Sequence, residues 1–261
     1  MIRLSLFLVA IVAAVVPLAS QTERFEVASV KPNYTDADPS MSLAPNGAIN
    51  IVNVPLENVI VNAYRIPPFR IVGAPDWIRR ERFDISARPP EGVASRQPLA
   101  MLQTLLAERF KLRAHQATRE QPIYALVIAR SDGRLGPHLQ RSTADCSAKV
   151  PPPVPSGDLA CAGRFGVGPG GGTIVSKGQP LARVINALSM AVNQPVVDRT
   201  SLEGPLDVEL RWSADVTSNP TNSDTPSIFT ALQEQLGLRL ESTRGAVEVL
   251  VIDSVERPTP D

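Results

Sequence analysis

Acid–base and metal chemistry near neutral pH turn first on histidine, and this sequence has two, His115 and His138. Neither belongs to a His-Glu-x-x-His run, and no Cys-x-x-Cys pair accompanies them, so the usual spacings of a zinc site are missing. His115 falls on an expected strand after Leu112, and His138 in a loop after Pro137. Hydrolysis by a serine would call for an elbow of the Gly-x-Ser-x-Gly kind, which is absent. A triad assembled in space from one of these histidines, a Ser and an acid is the hydrolytic route left open. The run Gly166-Val167-Gly168-Pro169-Gly170-Gly171 has the outline of a dinucleotide fingerprint. Pro169 interrupts it, a strand is expected after it where a helix is needed, and no acid stands about 20 residues on. The Asp36/Asp38 pair lies among Pro and Asn and reads as turn chemistry rather than a glycosidase pair. No catalytic residue, no metal and no cofactor are therefore expected. The strongest surface feature is Trp77 with Arg79, Arg80 and Arg82. An aromatic beside arginines is a common anchor at interfaces. The plainer reading is a Trp capping the core beside solvated arginines.

The whole chain excludes several partners. Its 26 basic and 26 acidic residues cancel, which gives no field for nucleic acid or an anionic membrane. Hydrophobic residues make up 43% and charged residues 20%, a composition that supports a packed core. At the amino terminus, Arg3 precedes an apolar stretch from Leu4 to Val16, followed by Pro17-Leu18-Ala19-Ser20 and a polar run. That is the layout of a secretory signal peptide over residues 1–20. The stretch is short for a span, which needs roughly 20 apolar residues; retention as an uncleaved anchor is the alternative. The expectation is an exported protein, periplasmic or secreted, with no stable membrane span after cleavage. Two cysteines in such a chain, Cys146 and Cys161, read as a disulfide, with two free thiols as the alternative.

Positioning comes from a pattern that occurs twice. Gly47 to Ile60 aligns without a gap on Gly172 to Ile185, sharing Gly, Ile, Pro-Leu and Val-Ile. Phe83-Asp84-Ile85 aligns with Leu206-Asp207-Val208, Leu106–Arg113 with Leu232–Arg239, and Ala125–Ile128 with Val249–Ile252. The order and near-constant offset indicate an internal duplication. Each copy reads as β-α-β-β-α-β-β. In the first helix, Leu56, Val59, Ile60 and Ala63 recur at helical spacing, as do Leu181, Val184, Ile185 and Leu188 in the second copy. Second helices are expected over Pro98–Glu108 and Ser227–Gln235, with Ser227 as N-cap and Gly237 at the C-cap. Each copy is expected to close with a hairpin, Lys111–His115 with Ile123–Ala129 and Arg239–Thr243 with Val247–Asp253. The fold class is α+β: two tandem modules, each with helices on one face of a small, mostly antiparallel sheet. The modules cover residues 21–140 and 172–258. Residues 141–171, with Pro151-Pro152-Pro153 and both cysteines, read as the linker.

The second copy resembles the short N-terminal module of secretins and TonB-dependent receptors. The residues that carry this are Gln179-Pro180-Leu181, Val196-Val197-Asp198, Leu202-Glu203-Gly204, Asp207-Val208-Glu209-Leu210 and the strand Val247–Ile252. That resemblance implies a periplasmic docking domain without catalysis. The whole chain resembles a family of secreted proteins of unknown function multiplied in soil acidobacterial genomes. Here the residues are Phe25–Pro32, Gly73–Ile78, Arg82–Ile85, Met101–Leu112 and Pro195–Thr200. Related domains are joined to membrane metallopeptidases of the antirepressor-sensor type, which implies an extracytoplasmic sensing or docking role. Three functions follow as expectations. The first is an exported, non-catalytic docking protein whose partner is another extracytoplasmic protein or peptide. The second is a sensor holding a small ligand or peptide between the modules, and the third a hydrolase of unrecognised type.

Overall fold

The structure, a computed structural model, describes residues 24–90, 97–144, 146, 161–168, 171–213 and 226–258. The signal segment 1–20, the Pro151–Pro155 run and the polar insertion 214–225 lie outside the described residues. The rest is α+β, with three four-stranded sheets.

The first sheet joins β1 (Val27–Asn33), β5 (Arg82–Arg88), β3 (Ile49–Pro55) and β2 (Ser40–Leu43) in that order, all antiparallel. The third joins β7 (Leu139–Arg141), β11 (Pro205–Ser213), β9 (Gly171–Pro180) and β8 (Gly163–Gly168), also antiparallel. Both follow one plan. A long strand ends in Pro, and a helix starts at the next residue: α1 (Leu56–Tyr64) after β3 and α4 (Leu181–Ala191) after β9. Pro55 and Pro180 set the entry to the helix with a fixed φ and need no N–H partner there. The helices bury the residues that the spacing selects, Leu56, Val59, Ile60 and Ala63 in one and Leu181, Val184, Ile185 and Leu188 in the other.

Each long strand carries a bulge at the same place. On β3, Val52 and Asn53 stand opposite the single residue Asp84, and on β9 Lys177 and Gly178 stand opposite Asp207. Asn53 and Gly178 have φ of 53° and 66°. Their amides donate to the Asp84 and Asp207 carboxylates at 2.8 and 2.9 Å. The bulge takes each N–H out of the ladder, and the carboxylate opposite replaces the lost acceptor.

The closing hairpins do not form. Arg113–Ile128 is one 16-residue strand, β6, and Leu238–Ser254 one 17-residue strand, β12. They pair with each other, from Leu238↔Ile128 to Ser254↔Arg113. Gly245, which lies between the two arms of the expected second hairpin, pairs with Gln121 in mid-ladder, and its missing side chain leaves room for Ile123, whose Cδ1 would lie 2.6 Å from a Cβ there. Two short strands complete this middle sheet in parallel. β4 (Ile71–Val72) pairs with β12, and β10 (Val196–Asp198) with β6. Each short strand therefore lies on the long strand from the other half of the chain. The stretch 141–171 also departs from the expected linker, because it holds β8; its glycines hid a strand from the pattern.

The cores cross over in the same way. The first, around Phe83, Phe110 and α1, takes Leu250 and Ile252 from β12. The second, around Ile174, Leu188 and Leu236, takes Leu126 and Leu139 from the first half. Helix α3 (Pro98–Arg109) covers the first core with Met101, Leu102, Leu105 and Leu106. Its counterpart is a single turn, α5 (Ile228–Ala231), running into a π-turn over Leu232–Leu236. Ser227 caps α5, accepting from the Thr230 amide, and Gly237 ends the π-turn with φ 67°.

Candidate functional site

Trp77 and Arg79, Arg80 and Arg82 are brought close by the one-turn helix α2 (Trp77–Arg80) and the start of β5. Their chemistry is largely spent within the chain. Arg79 binds Glu57 at 2.9 Å, Arg80 reaches Asp76 at 3.4 Å, and Arg82 donates to the Asn53 carbonyl at the bulge, also at 2.9 Å. Glu57 raises the Arg79 guanidinium above its ordinary pKa, chiefly by their hydrogen bond. Trp77 packs against the first core, and the Arg257 guanidinium lies over its ring at 4.9 Å while also gripping Glu81. Asp76 is a neighbour in the sequence, but spacing could not reveal Glu57, Asn53 and Arg257, which come from distant segments.

The two histidines do not meet. His115 contacts Asp253 at 2.9 Å with both side chains about half exposed, on the surface of the middle sheet. His138 lines a small polar cleft of about 190 Å³ with Gln140, Lys177, Asp207 and Glu209. Asp207 is engaged by the Gly178 amide and Glu209 by Arg211. No hydroxyl or thiol lines this cleft among the described residues, so the geometry brings His138 near carboxylates and Lys177 but near no serine, threonine or cysteine. Nor do the described residues hold three or more His, Cys, Asp or Glu side chains grouped to bind a metal.

Cys146 and Cys161 are bonded, with their Cα atoms 5.3 Å apart. The bridge sits on the β9 bulge: a Cβ on Gly178 would collide with Cys146 Sγ, and the Gln179 side chain donates to the Cys161 carbonyl at 2.7 Å. It clamps the outer sheet rather than a core. Replacing both residues by Ser should lower stability by no more than about 3 kcal/mol, the loop-closure value for this separation, with the far-UV circular dichroism unchanged. Limited proteolysis of the variant should add cuts between Arg141 and Arg164. Global unfolding would show that the bridge supports a core.

Two further clefts lie at matching positions in the two halves, the first mainly apolar and the second mixed. The first, about 710 Å³, is lined by Leu43 at the end of β2, Val61 and Ile66 around the end of α1, and Pro98 and Leu99 at the start of α3. Met190, from α4 in the other half, completes it. The second, about 380 Å³, is lined by Val167 at the end of β8, Val192 after α4, Trp212 on β11, and Ile228 and Phe229 at the start of α5. Here Tyr124 of β6 is the residue from the other half, its ring edge-to-face with Phe229 at 5.8 Å. Among the described lining residues neither cleft has a His, Cys, Asp, Glu or Lys, and Arg65 is the one charged side chain. No sequence motif marked these clefts, because each gathers short segments that lie far apart in the sequence.

The structure thus defines an α+β chain whose halves share a central sheet and carry a pair of clefts. By sequence it belongs to the family described as Protein of unknown function (DUF3738), whose model matches residues 57–255, from α1 to just past β12. No curated protein and no solved structure matches the chain. No helix among the described residues is long and apolar enough to cross a membrane.

Proposed function

We propose that this is an exported, non-catalytic docking protein, made of two copies of one α+β unit, that holds another extracytoplasmic protein or peptide. The observation that carries the reading is the pair of clefts at corresponding positions, each beside an outer strand of its sheet, lined mostly by aliphatic and aromatic side chains and, among the described residues, by no His or carboxylate. Such a lining favours burial of apolar groups and offers little for proton transfer. Duplication is supported by the shared strand order, the bulge held by Asp84 or Asp207, and the helix that follows each Pro. The disulfide supports export, since such bonds persist in oxidising compartments. The resemblance to the docking modules of secretins and TonB-dependent receptors points the same way. The test is capture from the extracytoplasmic fraction of the producing organism, with the chain lacking residues 1–20 as bait. One protein enriched in stoichiometric amount is the expected result. Hydrolysis of a broad panel of esters or peptides, abolished by His138→Ala, would overturn it.

Met190 favours a second reading. It closes the first cleft from the other half of the chain, as a sensor with its ligand between the halves would require. A small molecule retained through purification and released by Met190→Asp would support that reading over docking.

A further inference from the structure

The sheet edges are not guarded alike. An edge presents unpaired N–H and C=O groups that another extended chain can match, and proteins commonly block this with short strands, Lys, Pro or bulges. β4, β7 and β10 are two or three residues long, β2 has four residues, and β1 carries Lys31 and Pro32. β8 has six residues, no Lys, no Pro and an unbroken register on β9. Its other side has no strand partner among the described residues.

The phase of the ladder says which groups face outward. The Lys177 amide donates to the Ala162 carbonyl at 3.0 Å, continuing the β8–β9 register by one pair. Hydrogen-bonded pairs alternate along an antiparallel ladder. Ala162, Arg164, Gly166 and Gly168 therefore bond to β9, while Gly163, Phe165 and Val167 turn their N–H and C=O groups to the open edge. Side chains of this second set share a face. Phe165 stands opposite the buried Ile174, and Val167 opposite Gly172 and beside the second cleft. Phe165 and Val167 are 38% and 48% exposed, and Phe229 across the cleft is 39% exposed. A Cβ on Gly172 would strike the Trp212 ring, so glycine there lets the indole floor the cleft. Among the described residues, the backbone groups without strand partners and the exposed apolar side chains thus occur at the same residues.

We propose that β8 is a docking edge: an extended segment of a partner polypeptide adds to it as a fifth strand. Its backbone bonds to Gly163, Phe165 and Val167, and its apolar side chains, at alternate positions, enter the cleft of Tyr124, Trp212 and Phe229. This rests on the docking reading and names the chemistry of the partner. A small ligand would satisfy the cleft but leave the edge unmatched. The uncharged lining selects uncharged residues on that face of the incoming strand.

The probe is a displayed library of random linear peptides, selected on the immobilised chain lacking residues 1–20. Selected peptides should carry apolar residues at alternate positions. N-methylation of the amides of one parity should weaken binding about ten-fold per hydrogen bond lost, and methylation of the other parity should not. Val167→Pro removes an outward donor but no bond to β9, and should weaken the same peptides about ten-fold. If that variant misfolds, the methylated peptides still decide the matter on the unaltered protein. Equal effects of both parities, or selected peptides without alternation, would overturn the proposal. So would a dimer seen by sedimentation and broken by Val167→Pro, since the occupant would then be a second copy. A natural partner captured equally by the variant and the unaltered chain would remove the edge but keep the docking reading. Failure to recover any peptide or partner would remove both.

Discussion

Residues 24–144 and residues 161–258, produced as separate polypeptides, should each be unfolded, and should fold together when mixed. Separation strips β6 from β12 along their whole length and leaves both with an open edge. It also removes Leu250 and Ile252 from the first core, and Leu126 and Leu139 from the second. Full burial of a Leu or Ile side chain is worth about 1.5–3 kcal/mol, so each piece loses about 3–6 kcal/mol from these residues alone. Whole domains are stable by only about 5–15 kcal/mol. The lost ladder and the lost β4 and β10 pairings add to the deficit. Far-UV circular dichroism and amide exchange on the pieces, apart and mixed, would read the result. Cooperative melting of either piece alone would mean that the crossed pairing adds little to what each half builds for itself.

Gly136→Ala should be among the most damaging single substitutions in the chain. The segment after β6 folds back over the end of the π-turn. There the Gly136 amide donates to the Leu236 carbonyl and the His138 amide to the Gln235 carbonyl, both at 2.9 Å, while the Ala129 amide bonds Gly237 at 2.8 Å. These bonds satisfy carbonyls that a helix end leaves without partners. A Cβ on Gly136 would overlap the Gln235 carbonyl oxygen and lie 2.6 Å from Leu236 C. Backbone meets backbone there, so no side chain can swing aside. The strand must lift, and the carbonyls lose their donors. A loss of about 3 kcal/mol is expected, read as a drop in melting temperature of about 10 °C for a chain of this size. Gly133→Ala, where a Cβ would meet nothing within 4 Å but φ is +72°, should cost about 1 kcal/mol. It separates close approach from backbone conformation.

The same turn gives a small pH signature. The Arg130 guanidinium, helped by the Arg134 amide, holds Asp132 at a pKa of about 2 on a fully exposed loop. A carboxylate held below its unfolded value stabilises the fold above that value, and the contribution fades as pH falls through the folded pKa. The Asp132 resonance should therefore titrate near 2, and Arg130→Gln should return it towards the ordinary carboxylate range.

Local pattern made much of this fold legible. The four apolar positions of α1 and of α4, the Pro before each helix, and Ser227 and Gly237 around the last turns all follow from rules that act within one or two turns. The matched Asp84 and Asp207 were visible as repeated letters, but their task was not, since a bulge exists only once two strands are paired. The hairpins failed for a related reason. Gly245 carries the same letter whether it turns the chain or makes room for Ile123, and only the partner strand decides. β8 was hidden because Gly-rich strands lack the alternation that marks an edge. The candidate surface at Trp77 was a true juxtaposition, yet its arginines answer to Glu57, Asp76 and Asn53, and its ring to Arg257. The clefts escaped altogether because each is assembled from segments far apart in the sequence.

The crossed long strands also set a clock. β12 follows every other described strand in the sequence, and it completes both the middle sheet and the first core. The first half must therefore wait, with β6 and β4 lacking their neighbour, until β12 has been made. Contacts this distant in sequence form slowly, because the loop they close must be ordered before they repay it. A late-closing fold of this kind stays loose until its last long strand arrives. It also concentrates risk at one end: an early stop that deletes β12 would leave no partly useful protein, only an open sheet seeking another strand.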